Sequence, residues 1–367
     1  MNTKQDNCKK MSQIDVLEQY KINIGKGTRG LKNSITDVGG VRVGHYTLSE
    51  GHIQTGITAI LPHGDNLFKE KLTAATYVMN GFGKSIGLMQ IDELGTIETP
   101  ILMTNTLSVG RVATGLVRYM LEQNDDIGIS AGSVNPVVCE CNDGYINAIR
   151  ELPLKEEDVF KAIENCAVDF EQGAVGAGTG MMTFGLKGGI GTSSRLVAFG
   201  DKTYTVGILV LSNFGNLSTL QIEGHKIGDA IGREMEHEEK GSMIAVFASD
   251  LPLNERQLKR TLKRIPAGMA RTGAHFGNGS GDVFFGFSTA RRINYLETDD
   301  IISMELINEN RIDRVFNAAI EATEEAILNS MFYAQNTVGR EDRCVKSITE
   351  YDEILRAEFM SDFKSEV

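Results

Sequence analysis

Along this chain, short runs of apolar residues alternate with polar positions, and glycine, proline or acidic turns punctuate the runs. Ile35, Val38, Val41 and Val43 in GLKNSITDVGGVRVGHYTL predict a short strand and turn, so the ordered fold is expected to begin near Gly30, after a polar, lysine-rich extension over 1–29. TGITAIL (55–61) and the run 100–104 read as buried strands. Helical spacing appears from about Arg111 to Glu122, with Val112, Leu116, Met120 and Leu121 on one face. It appears again from about Lys155, with Val159, Ile163, Cys166 and Phe170. Both helices should cover a sheet.

Further on, two strand-like runs flank Gly200-Asp201-Lys202, a connection suited to a hairpin. The second run, TVGILVL, is apolar on both faces and so belongs inside a layered structure, with Ser212 and Asn213 emerging at its end, where sites are often built. A charged run, MEHEEK (235–240), then stops at Gly241-Ser242, and the strand-like MIAVFAS follows directly. An amphipathic basic helix is expected from about Asn254 to Arg264, with Leu258, Leu262 and Ile265 as its stripe, and a long helix from about Arg311 to Ala334. Residues 345–367 read as a weakly amphipathic terminal extension. One layered α/β or α+β domain over 30–367 is the simplest reading.

Composition narrows the function classes. A net charge of -12 argues against nucleic acid as a partner, since phosphate backbones are met with clustered Lys and Arg. The five cysteines (Cys8, Cys139, Cys141, Cys166 and Cys344) are scattered and form no C-x-x-C pair, which fits a reducing, cytoplasmic compartment. The first twenty residues hold no apolar signal region, and no stretch of about 18 apolar residues occurs, so no membrane association is expected. Glycine is the outlier, with 40 residues where a usage of about 7 % would give about 26, and it points to tight turns and close backbone approaches.

Several short motifs fail on spacing, and one, at Ser85, stands as an alternative nucleophile. Gly83-Lys84-Ser85 resembles the end of a phosphate-binding loop, but the glycine needed five residues earlier is Val78. The same stretch satisfies G-x-S-x-G, which would make Ser85 a nucleophile on a strand-to-helix elbow with His225, His237 or His275 as partner. Gly173, Gly176, Gly178 and Gly180 are dense, yet a dinucleotide fingerprint meets Met181 at its third glycine, so close packing of backbone is the better reading. Cys139-x-Cys141 lacks a second pair and no H-E-x-x-H occurs, so no metal or cofactor is expected.

Gly241-Ser242 places a small residue and a hydroxyl nucleophile where a charged loop enters a buried strand, and taken alone the dipeptide is also an ordinary turn. The surrounding motifs change its weight. ITDVGGVRVGH (35–45), ETPILMTNTLSVG (98–110), NPVVCECNDGY (135–145), GAVGAGTGM (173–181), KGGIGTSSR (187–195), Asn213-Phe214-Gly215 and GNGSGDVFFGFST (277–289) together resemble, in order, the family of L-aminopeptidase/D-esterases and β-peptidyl aminopeptidases.

That resemblance implies a four-layer αββα sandwich like that of the N-terminal-nucleophile (Ntn) hydrolases, with different strand connectivity. It also implies a precursor that cuts itself at Gly241-Ser242 into an α chain (1–241) and a β chain (242–367), and a homotetramer of αβ units. The expected activity is removal of N-terminal residues from short peptides, amides or esters through an acyl-enzyme on Ser242, without metal or cofactor. By the same resemblance Asn213 stabilises the oxyanion, Tyr145 positions substrate or donates to the oxyanion, and Ser280 and Asp282 orient the nucleophile and its amine. Some relatives carry glutamate where this chain has Asp282, one methylene shorter, which favours a contact with the amine through Ser280. Glu140, in the same motif as Tyr145, is the candidate for the substrate's ammonium group. The related possibilities are acyl transfer of the ornithine acetyltransferase kind, cleavage of amide oligomers, and an uncleaved homologue without catalysis. The first two typically expose threonine rather than serine.

Overall fold

A computed structural model describes residues 16–232 and 241–360; the charged run 235–240 and His237 lie outside them. The hairpin β1 (Arg42–Glu50) and β2 (Ile53–Leu61) is followed by β3 (Glu70–Gly81), α1 (Leu88–Leu94), β4 (Thr96–Ile97) and β5 (Ile101–Asn105). Then come α2 (Val109–Gln123), β6 (Val137–Cys141) and α3 (Glu157–Glu164). The short strands β7 (Met182–Thr183) and β8 (Leu186–Lys187) lead into the long hairpin β9 (Gly189–Phe199) and β10 (Lys202–Asn213). The rest comprises α4 (Ile227–Ile231), β11 (Ser242–Ser249), α5 (Glu255–Leu262), α6 (Ile265–Arg271), β12 (Gly281–Asn294), α7 (Asp313–Phe332) and α8 (Asp352–Met360).

Two sheets carry the architecture, one in the order β1-β2-β5-β6 and the other in the order β4-β3-β12-β11-β10-β9. Period-two alternation assigns their faces. On β10 and β11, Val206, Ile208, Val210, Met243, Ala245 and Phe247 join a core shared with α5, α6 and α7. The intervening Leu209, Leu211, Ile244, Val246 and Ala248 meet Ile60, Met103, Val137 and Cys139 of the other sheet. That sheet's outer face, with Ile57, Ala59, Leu102 and Val138, is covered by Val112, Leu116 and Met120 of α2 and Val159 and Ile163 of α3. The result is a four-layer αββα sandwich, and it explains why TVGILVL has no polar face: each side of that strand is a core.

Local chemistry moved several boundaries. Ile35–Asp37 form a 3-10 turn rather than a strand, because Ser34 and Asp37 cap it reciprocally, and the strand starts only at Arg42. The basic helix is capped by Asn254 and Gln257, as α5, and stops at Leu262; Ile265 opens α6, where Pro266 suits the first turn. Residues near both ends of the described chain are packed. Leu17, Tyr20, Ile22 and Ile24, before Gly30, are buried in the core beside α7, as are Ile348 and Leu355 from the last part of the chain. Tyr20 donates to Asp352 at 2.9 Å, joining the two terminal segments. The fully buried Arg195 ties the first of them down, pairing with Glu325 at 2.6 Å and donating to the Ile24 carbonyl at 2.7 Å.

Helix α7 approaches β9 so closely that a Cβ on Gly191 would lie 1.9 Å from the carbonyl oxygen of Ala326. Backbone cannot give way as a side chain can. A Gly191→Ala variant is therefore expected to lose about 1–3 kcal/mol of stability, read as a lower denaturant midpoint; an unchanged midpoint would show that the layers are not in close contact there.

Candidate active site

Ser242 is the first residue of β11 and is clasped by both neighbouring strands. Across the antiparallel β10–β11 pair it faces Asn213, the last residue of β10. Across the parallel β11–β12 pair it faces Gly281, the first residue of β12. Pairing thus gathers residues 213, 242 and 280–282, separated by up to 69 positions (282 − 213 = 69). The Gly281 N–H donates both to Ser242 Oγ and to the Gly241 carbonyl oxygen, each at 3.3 Å. A Cβ on Gly241 would lie 2.5 Å from the Asn213 carbonyl oxygen and from Phe214 Cα, so the residue before the serine must be glycine.

Asn213 is held at both ends of its amide. Its Oδ1 accepts from the Met182 N–H at 2.9 Å, and its Nδ2 donates to the Asn142 carbonyl at 3.1 Å. On the other flank, Ser280 Oγ donates to Asp282 Oδ1 at 2.9 Å, and Asn80 Nδ2 donates to Asp282 Oδ2 at 3.0 Å. Ser280 and Asp282 are buried. Asn80 stands opposite Asp282 on β3, and sequence reading missed it. The available signal was a polar residue closing an apolar strand immediately before Gly81, and attention there went to the glycine-rich stretch instead.

Glu140, near the end of β6, is buried, with Oε1 accepting from the Lys84 N–H at 2.8 Å and Oε2 accepting from Thr106 Oγ1. The Gly83-Lys84-Ser85 stretch is therefore a turn whose amide serves a carboxylate. Although α1 follows at Leu88, Ser85 Oγ is buried and makes no hydrogen bond among the described residues, so no described histidine bonds to it as the base an elbow needs. Thr106 lay inside a quoted motif without an assigned role. Tyr145 follows Asn142 in the loop after β6 and is half-buried; Arg343 donates to its carbonyl at 3.0 Å and places its guanidinium 4.9 Å from the ring centre. Burial pushes the Cys141 thiol well up, and the nearby Glu140 and Asp282 carboxylates push it the same way, so Cys141 is a thiol in the core and not a competing nucleophile. Among the described residues no cluster of three or more His, Cys, Asp or Glu could hold a metal ion.

A hydroxyl at the start of an inner strand of an αββα sandwich, held by a backbone N–H of the neighbouring strand, fits a hydrolase frame of the Ntn kind. Residues 33–345 match peptidase family S58, and the chain belongs to that family. It is 36 % identical over 342 residues to the β-peptidyl aminopeptidase BapA of Sphingosinicella microcystinivorans, covering 85 % of this chain and 84 % of that protein. Among solved structures, the PH0078 protein of Pyrococcus horikoshii superposes with a TM-score of 0.90 at 46 % identity, over 95 % of this chain and 99 % of that one. The L-aminopeptidase D-Ala-esterase/amidase of Ochrobactrum anthropi, described as a prototype serine aminopeptidase and a variant of the Ntn hydrolase fold, gives a TM-score of 0.87 at 35 % identity, over 95 % and 98 %.

Replacing Asn80 by leucine removes a donor from a fully buried carboxyl group at nearly constant volume. We expect a stability loss of about 1–3 kcal/mol by denaturant unfolding, with the secondary structure retained; a neutral result would show that Asp282 does not depend on this contact.

Proposed function

We propose that this chain is a self-processing serine aminopeptidase that removes N-terminal residues from short peptides, amides or esters. The observation that carries the reading is the Gly281 N–H, shared between Ser242 Oγ and the carbonyl oxygen of Gly241. One donor thus holds the attacking oxygen next to the peptide group it is to attack and withdraws electron density from that carbonyl.

In processing, Ser242 Oγ adds to the Gly241 carbonyl carbon, and its proton passes to the departing nitrogen. Collapse leaves an ester between Gly241 and Ser242 Oγ and frees the α-amine of Ser242; water then hydrolyses the ester, giving chains 1–241 and 242–367. The freed amine, with a reference pKa of about 7.7–8.0, supplies a general base that a lysine at about 10.4 could not. In turnover this amine takes the Ser242 proton as Oγ attacks the substrate carbonyl, and returns it to the leaving amine. An acyl-enzyme forms and a water molecule cleaves it.

Asn213 Nδ2 donates one proton to Asn142 and keeps the other for the oxyanion, with Tyr145 as a further donor or positioning group. Ser280 and Asp282 orient the Ser242 amine, the carboxylate acting through the Ser280 hydroxyl. Glu140, a buried carboxylate with its orientation fixed by Lys84 and Thr106, receives the substrate's ammonium group. The same reading makes the enzyme a tetramer of αβ units in the cytoplasm; the free state of all four described cysteines supports the reducing compartment. None of the described helices is long and apolar enough to cross a membrane.

Mass spectrometry of the purified protein should give two chains meeting at Gly241/Ser242, with Ser242→Ala remaining whole. A wild type that stays intact and inactive would make this an uncleaved homologue. In processed enzyme kcat, which reports the bound complex and not the free substrate's own amine, should rise with pH through about 7.7–8.0 as the Ser242 amine loses its proton; a kcat flat across that range removes the amine as base.

A further inference from the structure

Lys187, on β8, is fully buried, and the chemistry above does not use it. Its Nζ donates to three backbone carbonyls, those of Gly178 at 3.0 Å, Met181 at 2.7 Å and Gly188 at 2.9 Å. Three acceptors match the three N–H bonds of an ammonium, whereas a neutral amine could serve only two. Burial pushes the group down to about 7, and the Asp143 carboxylate, itself pushed up to about 7 by burial, acts in the opposite direction. The carbonyl cage favours the charged form.

The cage is made from the turn that reaches the active site. Met181, whose carbonyl accepts from Lys187, precedes Met182, whose N–H holds Asn213 Oδ1 at 2.9 Å. Gly188 closes the same turn by donating its N–H to the Met181 carbonyl at 3.3 Å. Thr183, next along, bonds the Ser212 carbonyl at 3.0 Å, so the turn is fastened to β10 on both sides of the Ser212–Asn213 peptide. Asp143 stands behind it: a Cβ on Gly180 would lie 2.6 Å from Asp143 Cβ, so the turn lies flat against the residue after Asn142, which accepts from Asn213 Nδ2.

The orientation of the Asn213 amide decides whether a donor or an acceptor meets a developing negative charge. A flipped amide would present Oδ1 and repel it. Oδ1 is kept turned away by the Met182 N–H, with the Asn142 carbonyl holding the other end of the amide, and the position of that N–H depends on the turn that Lys187 gathers. We infer that Lys187 is a positioning residue for Asn213, a buried cation that fixes the 178–188 turn so that the amide presents Nδ2 to the oxyanion. This rests on the oxyanion role proposed for Asn213.

The test is a double-mutant cycle on hydrolysis of an amino-acid p-nitroanilide, using whatever processed enzyme each variant yields. Asn213→Ala should lower kcat by about 10²–10³-fold, and Lys187→Met should lower kcat by roughly 10–100-fold with KM changed less than about twofold. The two together should be little worse than Asn213→Ala alone, since both act on one donor. If Lys187→Met does not fold, Lys187→Gln, shorter and with two N–H bonds left, carries the test, with a kcat loss of about 3–10-fold and the same non-additivity. Losses that multiply, or a Lys187 variant with unaltered kcat beside a crippled Asn213→Ala, would overturn the positioning role alone. An Asn213→Ala enzyme with normal kcat would overturn the oxyanion reading and this inference together.

Discussion

The register of β10, β11 and β12 is the constraint on which the site depends. Ser242 meets both adjacent strands because it starts β11 opposite the end of β10 and the start of β12. Ser242 shares a face with Ile244, Val246 and Ala248, the residues that pack against the second sheet. A slip of one residue would put Met243 there and send the hydroxyl toward the helical layer. The alternating cores on the two faces make such a slip expensive. Apolar packing, which carries no chemistry itself, thereby fixes where the Ser242 hydroxyl stands.

The polar groups of the site are buried and paired before any substrate arrives. Ser280, Asp282 and Asn80 form one chain of bonds, Glu140 with Thr106 and the Lys84 amide forms another, and Asn213 is held by two backbone groups. Burying such groups without partners would cost several kcal/mol each; paired, they form a rigid set of dipoles. The supports come from both sheets: β6 and its loop supply Glu140 and the Asn142 carbonyl, and β3 supplies Asn80. The two-sheet sandwich therefore acts as a frame around the start of β11.

Glycine does separate work at two positions of that frame. At Gly241 the backbone of Asn213 and Phe214 leaves no room for a side chain, and at Gly191 helix α7 occupies the space. The first sets the geometry of the peptide bond before Ser242, and the second lets the helical layer close on the sheet that carries it. The overall excess of glycine in the composition has this kind of origin, as do the crowded approaches in 176–189, where the backbone turns back on itself to reach Asn213.

The sequence alone determined the two-sided apolar strand TVGILVL, the helical stripes of α2, α5 and α7, and, through a series of ordered motifs, the family. Alternation and spacing are local properties, so they survive in one dimension. It did not determine that Ile35–Asp37 would be a capped turn, that residues 16–24 and 345–355 would enter the core, or that Asn80 would face Asp282. Nor did it show that Lys84 would lend its backbone to Glu140, or that Lys187 would be buried among three carbonyls. Each of those depends on which segments lie side by side once the layers close, and hydrogen bonds between residues tens or hundreds of positions apart leave no periodic trace along the chain.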